Sequence, residues 1–390
     1  MPMGRSCFDF TAFLKGKRKA SLWIFIYYLC ILQVYADESP KLILGFNQVN
    51  MAWRTPDEQS SIVRDLRSAG VTTVRMTLHQ PFRSSLEAIK LASESGLKVI
   101  LSISLNAASY YSPDVTLRPG GRVESSYPLS SIDVLKFERH FLDVWRYITN
   151  NNVKIYAVEV GNEINWAFNG DLAADTHGGG RVYRSIVDLP NDGKFLRGLQ
   201  RYIEIVKNVK KIRDSSGGLN ATTPILTAGL ARITPEFSAQ VKADAVDPGL
   251  TYSLLADLGI SQFADAPAMH LYPPSNVSPE VRSLSIDSTL RDCALSGILK
   301  PCWITEWGFS NTDRKCPLDD TARTKLVVEI LDQFLHKTRQ GMLSAAIYFD
   351  WSGSSSRSVW RCGTITGSGQ AIVRAASGEA TDGGARRVDE

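Results

Sequence analysis

Two stretches of this chain deliver a glutamate at the end of an apolar run, and a working pair of carboxyl groups is the chemistry they suggest. The run IYAVEV opens directly into Gly161-Asn162-Glu163-Ile164-Asn165, and Cys302-Trp303-Ile304-Thr305 leads into Glu306-Trp307-Gly308. Cleaving a glycosidic bond needs one carboxyl group protonated to assist the leaving oxygen and a second ionised to attack carbon or activate water. One strand-end glutamate alone is as well explained by a rim ion pair. Two at matching positions shift the balance towards catalysis.

Other chemistries leave no trace. There is no Gly-x-Gly-x-x-Gly after a first strand, no phosphate-binding loop, no Gly-x-Ser-x-Gly elbow and no His-Glu-x-x-His. No cofactor and no metal are expected: the cysteines form no close pair, and the histidines at 79, 140, 177, 270 and 336 lie far from them. The 390 residues carry a net charge of +4, but Arg5, Lys15, Lys17, Arg18 and Lys19 against Asp9 account for all of it within residues 1–36. The remainder is neutral and has no basic face for phosphates, so nucleic acid is not expected as a partner.

Around the two glutamates, short β-rich runs alternate with longer segments of helical period. That pattern predicts parallel strands with crossover helices. Eight strands are expected: Leu42–Phe46, Thr72–Thr77, Lys98–Ser104, Lys154–Val160, Pro224–Ala228, Ala264–Leu271, Cys302–Thr305 and Ser344–Phe349. Several are apolar throughout, as strands buried on both faces are. Val134, Phe137, Phe141, Trp145 and Ile148 make one helical stripe, Leu199, Tyr202, Val206 and Val209 another, and Val327, Leu331, Phe334 and Leu335 a third after Asp319-Asp320. The expected fold is an α/β (β/α)8 TIM barrel, one domain over 37–375. Its long loops, 106 to about 130 and 166 to about 192, follow strand C-termini, where such a barrel builds its active face.

The motifs GNE and TEWG resemble the large clan of retaining (β/α)8-barrel glycoside hydrolases with catalytic glutamates on strands four and seven, and family 5, the cellulase-like family, is nearest. The resemblance implies that Glu163 is the acid/base and Glu306 the nucleophile. It further implies that Arg75 supports the nucleophile, Asn162 bonds the sugar 2-hydroxyl, and Tyr272 of His270-Leu271-Tyr272 steadies the nucleophile. Trp351 stands where an aromatic platform under the sugar is expected. Strand three ends in Leu105-Asn106, where many family 5 enzymes carry a histidine. Asn47, Asn106, His79 and Trp166 are further candidates for sugar contact, and Trp53, Tyr110, Tyr111 and Trp360 are candidate stacking aromatics. The activity implied is hydrolysis, or transfer, of a β-linked oligo- or polysaccharide with retention. The carboxyl groups should then lie in the short range of about 5–5.5 Å, with the charge of Glu306 favouring the proton on Glu163. Alternatives are a carbohydrate-binding barrel without turnover, or an aldolase- or isomerase-type barrel, which would want a lysine or metal ligands at strand ends.

The basic cluster before the apolar run Leu22 to Val34, then Ala36, has the layout of an export signal, with a retained membrane anchor as the alternative for residues 1–36. Of six cysteines, Cys293, Cys302, Cys316 and Cys362 lie beyond it. An even count in an exported chain suits disulfides, with buried thiols the alternative. Loop adjacency predicts Cys316–Cys362, tying the loops after strands seven and eight, and Cys293–Cys302 is expected as the second bridge. Asn220-Ala-Thr222 and Asn276-Val-Ser278 are glycosylation acceptors in a glycosylating source. Residues 376–390 are small, charged and Gly-rich, and are expected to be a disordered tail.

Overall fold

The computed structural model describes residues 41–172, 180–313 and 315–379. The described residues from Leu42 onward belong to one compact unit. The signal or anchor, His177, and the tail from 380 lie outside the described residues, among which no helix is long and apolar enough to cross a membrane.

Eight parallel strands close on themselves. In chain order they are β1 (Ile43–Asn47), β2 (Thr73–Leu78), β3 (Lys98–Ile103), β4 (Ile155–Val160), β5 (Ile225–Leu226, continued by Leu230–Ala231), β6 (Ala268–Leu271), β7 (Cys302–Trp307) and β8 (Leu343–Tyr348). Each pairs with the next, and β8 returns to β1 with Ile43 opposite Ala345. Helices α1 (Pro56–Ser68), α2 (Phe82–Glu94), α3 (Val134–Asn150) and α4 (Lys194–Ser216) follow the first four strands. The short α5 (Pro235–Val241) and then α6 (Pro248–Asp257) follow β5, while α7 (Pro279–Ala294), α8 (Thr321–Arg339) and α9 (Gly367–Ser377) follow the last three. The result is the expected (β/α)8 barrel.

The strands are apolar throughout because both their faces are covered. On β3, Val99, Leu101 and Ile103 pack outward with the helices, while Ile100 joins Ala157, Leu226, Ala268, Trp303, Ala345 and Ile347 in a separate cluster that plugs the barrel. Small alanines opposite Trp303 let that plug fill. The helical stripes do what their spacing predicts: Phe137, Phe141, Trp145 and Ile148 are buried, as are Leu199, Tyr202, Val206 and Val209. The first helix has a capping box, with Thr55 accepting from the Glu58 N–H and Glu58 accepting from the Thr55 N–H.

Three differences from the expected elements have local causes. The middle of β5 leaves the ladder because side chains take its donors: the Ala228 N–H bonds the Tyr202 hydroxyl at 2.7 Å, and the Gly229 N–H bonds a Glu159 oxygen at 3.1 Å. The sixth strand begins only at Ala268, after Pro267, which cannot donate. The seventh runs on through Glu306 to Trp307. At the C-terminus, α9 continues to Ser377 and buries Ala371 and Ile372, so the chain is still helical at 376 and 377, where the tail was expected to begin.

The two long loops are laced together on the active face. Asp171 accepts from the Ser130 N–H at 2.8 Å and the Ser130 hydroxyl at 2.6 Å, and the Gly170 N–H bonds the Tyr127 carbonyl. Burial pushes the Asp171 carboxyl up to about 6, although those bonds from Ser130 pull the other way. Asn220 is not an open glycosylation site: it is buried, accepting from the Ile155 N–H and donating to the Val153 carbonyl. Asn276 is exposed.

Both expected disulfides are formed. Cys293–Cys302 joins the end of α7 to the start of β7, and Cys316–Cys362 joins the loops after β7 and β8, with Cα separations of 5.8 and 5.9 Å. Alkylation of the unfolded, unreduced protein should therefore label none of these four cysteines. Intact mass checks this, and four labelled thiols would contradict both bridges.

Candidate active site

Arg75, facing inward from β2, is the hub of the barrel mouth. It is buried and donates to side chains from β1, β3, β4 and β7: to Glu159 through Nε, to Asn47 Oδ1 at 2.7 Å and Glu306 Oε1 at 2.8 Å through Nη1, and to Ser102 Oγ and Asn162 Oδ1, each at 3.1 Å, through Nη2. Burial works against its charge, but Glu159 and Glu306 outweigh that and hold it protonated. Glu159 is fully buried on β4 and also accepts from the Thr305 hydroxyl at 2.7 Å and the Gly229 N–H.

Glu306 accepts from Arg75 on one oxygen and from the Tyr272 hydroxyl on the other, at 2.6 Å. Burial pushes this carboxyl up, yet the charges of His270 and Arg75 and the bonds from Tyr272 and Arg75 prevail, so its pKa lies below the ordinary value. Tyr272 is held neutral, its pKa raised by burial and then by the Glu306 charge.

Glu163 follows β4 at a sharp turn. Gly161 has φ 89° and Glu163 itself φ 45°, a left-handed conformation that costs a non-glycine residue about 1–3 kcal/mol. The turn swings Asn162 and Glu163 into the mouth, where the Glu163 N–H bonds the Gly229 carbonyl at 2.9 Å. Its carboxyl meets His270 Nδ1 at 2.7 Å on one side and the indole N–H of Trp166 on the other. His270 Nδ1 also lies 3.6 Å from Glu306 Oε2, so one ring nitrogen sits between the two carboxyl groups. Burial disfavours the imidazolium, but Glu306 and then Glu163 outweigh it and raise the His270 pKa.

The two glutamates open into a cavity of about 570 Å³. Arg75, Asn106, Asn162, Glu163 and Glu306 line it together with His79, Phe349 and Trp53. Trp53 is 61% exposed and stacks on His79 with ring centroids 5.0 Å apart, offering an aromatic face at the rim. Burial, then the Arg75 charge, lowers the His79 pKa and keeps this ring neutral. Asn162 gives its oxygen to Arg75 and lines the cavity.

The expected site residues divide into those on the cavity and those behind it. Trp351 is not a sugar platform: it is 0% exposed, packed edge-on against Phe46 and stacked on Trp360, and Phe349, two residues earlier, is the aromatic that lines the cavity. Asn47 does not reach the cavity. It is buried, giving its oxygen to Arg75 and its amide to the Thr305 carbonyl at 2.9 Å. Trp166 is buried and holds Glu163 rather than facing the cavity. Asn106 lines the cavity but uses both ends of its amide on the loop above, with Ser125 and Tyr127. Tyr110 and Tyr111 are core residues. The sequence reading missed Glu159, Gly229 and Phe349; an acid inside the apolar run IYAVEV was a visible signal for Glu159.

One ligand atom each from Glu163, His270 and Glu306 would fall within 4.8 Å of one another. Both Glu306 oxygens are already bonded, one of them to the Arg75 cation, so the arrangement favours a pair of carboxyl groups over a metal ion. The same separation puts an oxygen of Glu163 close to one of Glu306.

No family model matches the chain, and no curated protein matches it. Solved structures do. One of two fungal β-1,4-galactanases matches with TM-score 0.51 and 13% identity, covering 89% of this chain and 96% of its own. A glycoside hydrolase family 30 subfamily 8 xylanase from Clostridium acetobutylicum matches with TM-score 0.52 and 14% identity over 87% and 72%. A GH5-4 broad specificity endoglucanase from Clostridium acetobutylicum matches with TM-score 0.52 and 12% identity over 86% and 96%. At such identities the likeness is one of fold.

The buried charges around Arg75 give a direct test. Glu159→Gln should lower stability by about 3–5 kcal/mol, because it leaves a buried guanidinium short of a countercharge. Urea unfolding measures it, and a loss under about 1 kcal/mol would mean that Glu159 does not balance Arg75.

Proposed function

We propose that this chain is a glycoside hydrolase that cleaves a β-linked oligo- or polysaccharide with retention, using Glu163 as acid/base and Glu306 as nucleophile. The observation that carries the reading is the unequal treatment of two close carboxyl groups at the C-terminal mouth of a parallel barrel. Glu306 is held ionised by Arg75 and Tyr272, while Glu163, with an oxygen within 4.8 Å, faces the same cavity and among the described residues has no arginine of its own.

In the first step the Glu306 carboxylate attacks the anomeric carbon while protonated Glu163 gives its proton to the glycosidic oxygen, and the carbon–oxygen bond breaks with its electron pair going to the leaving sugar. In the second, Glu163 takes a proton from water, the water oxygen attacks the anomeric carbon, and Glu306 departs as carboxylate. Two inversions restore the configuration. Trp166 and His270 hold the Glu163 carboxyl on both sides, which fixes the direction of proton delivery. The neighbours in fold are named as a galactanase, a xylanase and an endoglucanase, which puts a β-linked glycan first among substrates. Two disulfides fit a protein matured in an oxidising compartment, so export is part of the reading.

Reducing ends released from a panel of plant and bacterial polysaccharides test the activity, and no release from any of them would count against it. Glu306→Gln and Glu163→Gln should each cut turnover by several orders of magnitude with the fold intact. Glu163→Ala should regain rate with azide on an activated aryl glycoside. Proton NMR of the first product should show the β-anomer; an α-anomer appearing first would remove Glu306 from the nucleophile role.

The pH profile follows from the lowered pKa of Glu306. Its active form is ionised, so kcat/KM should persist as pH falls through the ordinary carboxylate value of about 4.3 and decline only below it. Tyr272→Phe removes a bond to the ionised form and should move that acid limb upward. An unmoved limb would mean that Tyr272 does not stabilise the carboxylate.

A further inference from the structure

Arg357 stands on the loop between β8 and α9, and its backbone is fixed. Buried Arg323, paired with Asp320 at 2.6 Å, donates to the carbonyls of Arg357 at 2.9 Å and Ser358 at 3.2 Å, while the Arg357 N–H bonds the Ser355 hydroxyl at 3.0 Å. From this point the side chain extends over Tyr272, with its guanidinium carbon 4.5 Å from the ring centroid. The hydroxyl of that ring is the one bonded to Glu306.

Among the described residues the guanidinium has no acid of its own. The buried arginines Arg75, Arg213, Arg282 and Arg323 all reach a carboxylate. Half-buried Arg357 reaches none among the described residues, and its Nε is shut away from water without an acceptor. Asp350, an acid within its electrostatic reach, is bonded to the Ser358 hydroxyl at 2.7 Å. Stacking on Tyr272 offsets only part of this, since an exposed cation–π contact contributes about 0.5–1 kcal/mol. A partly desolvated cation with unmet donors, held rigidly beside a reaction centre, is a site waiting for an anion.

We propose that Arg357 is the anion-recognising arm of a sugar subsite next to the catalytic pair, and that the glycan bound there carries a uronic acid carboxylate on the residue seated against Tyr272. The inference rests on the glycosidase reading for its setting. A carboxylate fits because the terminal nitrogens of a guanidinium present two parallel donors in one plane, and the tyrosine face holds that plane still. Tyr272 itself stays 36% exposed, so a sugar can reach it. Glu124, on the cavity wall, meets no cation among the described residues, which makes that side unfit for an anionic sugar. An acidic substituent would therefore fix which way the chain of sugars lies in the cleft.

The test compares methyl β-glucuronide with methyl β-glucoside, which differ only in the carboxylate, by ligand-observed NMR titration of the full chain. The wild-type protein should bind the glucuronide about ten-fold more tightly or better, with the advantage fading as salt is raised. Arg357→Gln should bring the two dissociation constants together, and Arg357→Lys, which keeps the charge without the planar fork, should leave an intermediate preference. Equal binding by the wild type, binding of neither sugar, or a glucuronide preference that survives Arg357→Gln would each overturn the proposal. Polysaccharide hydrolysis is scored separately: a glucuronide preference in a protein that cleaves nothing would sink the glycosidase reading and leave the anion site standing. Cleavage without the preference would do the reverse.

Discussion

Taking a guanidinium out of water costs several kcal/mol, and the mouth of this barrel is arranged so that Arg75 recovers that cost. Asn47, Ser102, Glu159, Asn162 and Glu306 converge on it from four other strands and the turn after β4. Two of them are acids, and one of the two is the residue to which attack on the substrate is assigned. Protonating Glu306 would both disarm the site and leave the arginine with Glu159 as its single countercharge. The ionised state of the reactive carboxyl is thus tied to the electrostatic balance of the barrel interior, and its readiness does not depend on a substrate arriving.

The backbone accepts constraints to make this possible. A β-carbon built on Gly229 would stand 2.2 Å from His270 Nε2 and 2.7 Å from the Thr305 hydroxyl, so only a glycine lets the histidine occupy the space between the two carboxyl groups. The same residue gives its N–H to Glu159 and its carbonyl to the N–H of Glu163. Glu163 in turn is held at a positive φ that the surrounding bonds must maintain. Local strain and a missing side chain are concentrated within a few ångströms of the reacting groups, where they set direction and spacing.

The fold and the two glutamates were readable from the sequence because both depend on patterns of short range. An apolar run followed by Gly-Asn-Glu needs no knowledge of distant residues, and the stripe Phe137, Phe141, Trp145 and Ile148 identifies its helix unaided. The errors came where a side chain's direction is decided by the loop after its strand. Trp351 was assigned to the sugar because an aromatic was expected after β8; the chain reverses there, the Trp351 N–H bonds the Asn47 carbonyl, and the ring turns into the core while Phe349 faces the cavity. Asn47 and Trp166 were assigned to the substrate because polar and aromatic groups near a mouth look like binders. Their partners, Arg75 and Glu163, lie 28 and 3 residues away, and only the closed barrel shows that they act through those partners. Gly229 carried no sequence signal at all, since its role depends on His270, which comes from another strand.

The split fifth strand has a consequence for how the molecule breathes. Most neighbouring strands are paired over four to six residues, but Ile225–Leu226 are paired to β4 and Leu230–Ala231 to β6 over two each, as β1 is to β2, and between the two halves the Ala228 and Gly229 N–H groups go to side chains. Few ladder bonds need to break for the wall to part along this line, so amide protons on either side of it should exchange with solvent by a lower-energy opening than those of β2 and β3. That seam passes directly beneath Glu163. The wall is thus lightly laddered beside the carboxyl group that must act twice, first as acid and then as base, on leaving groups of different size.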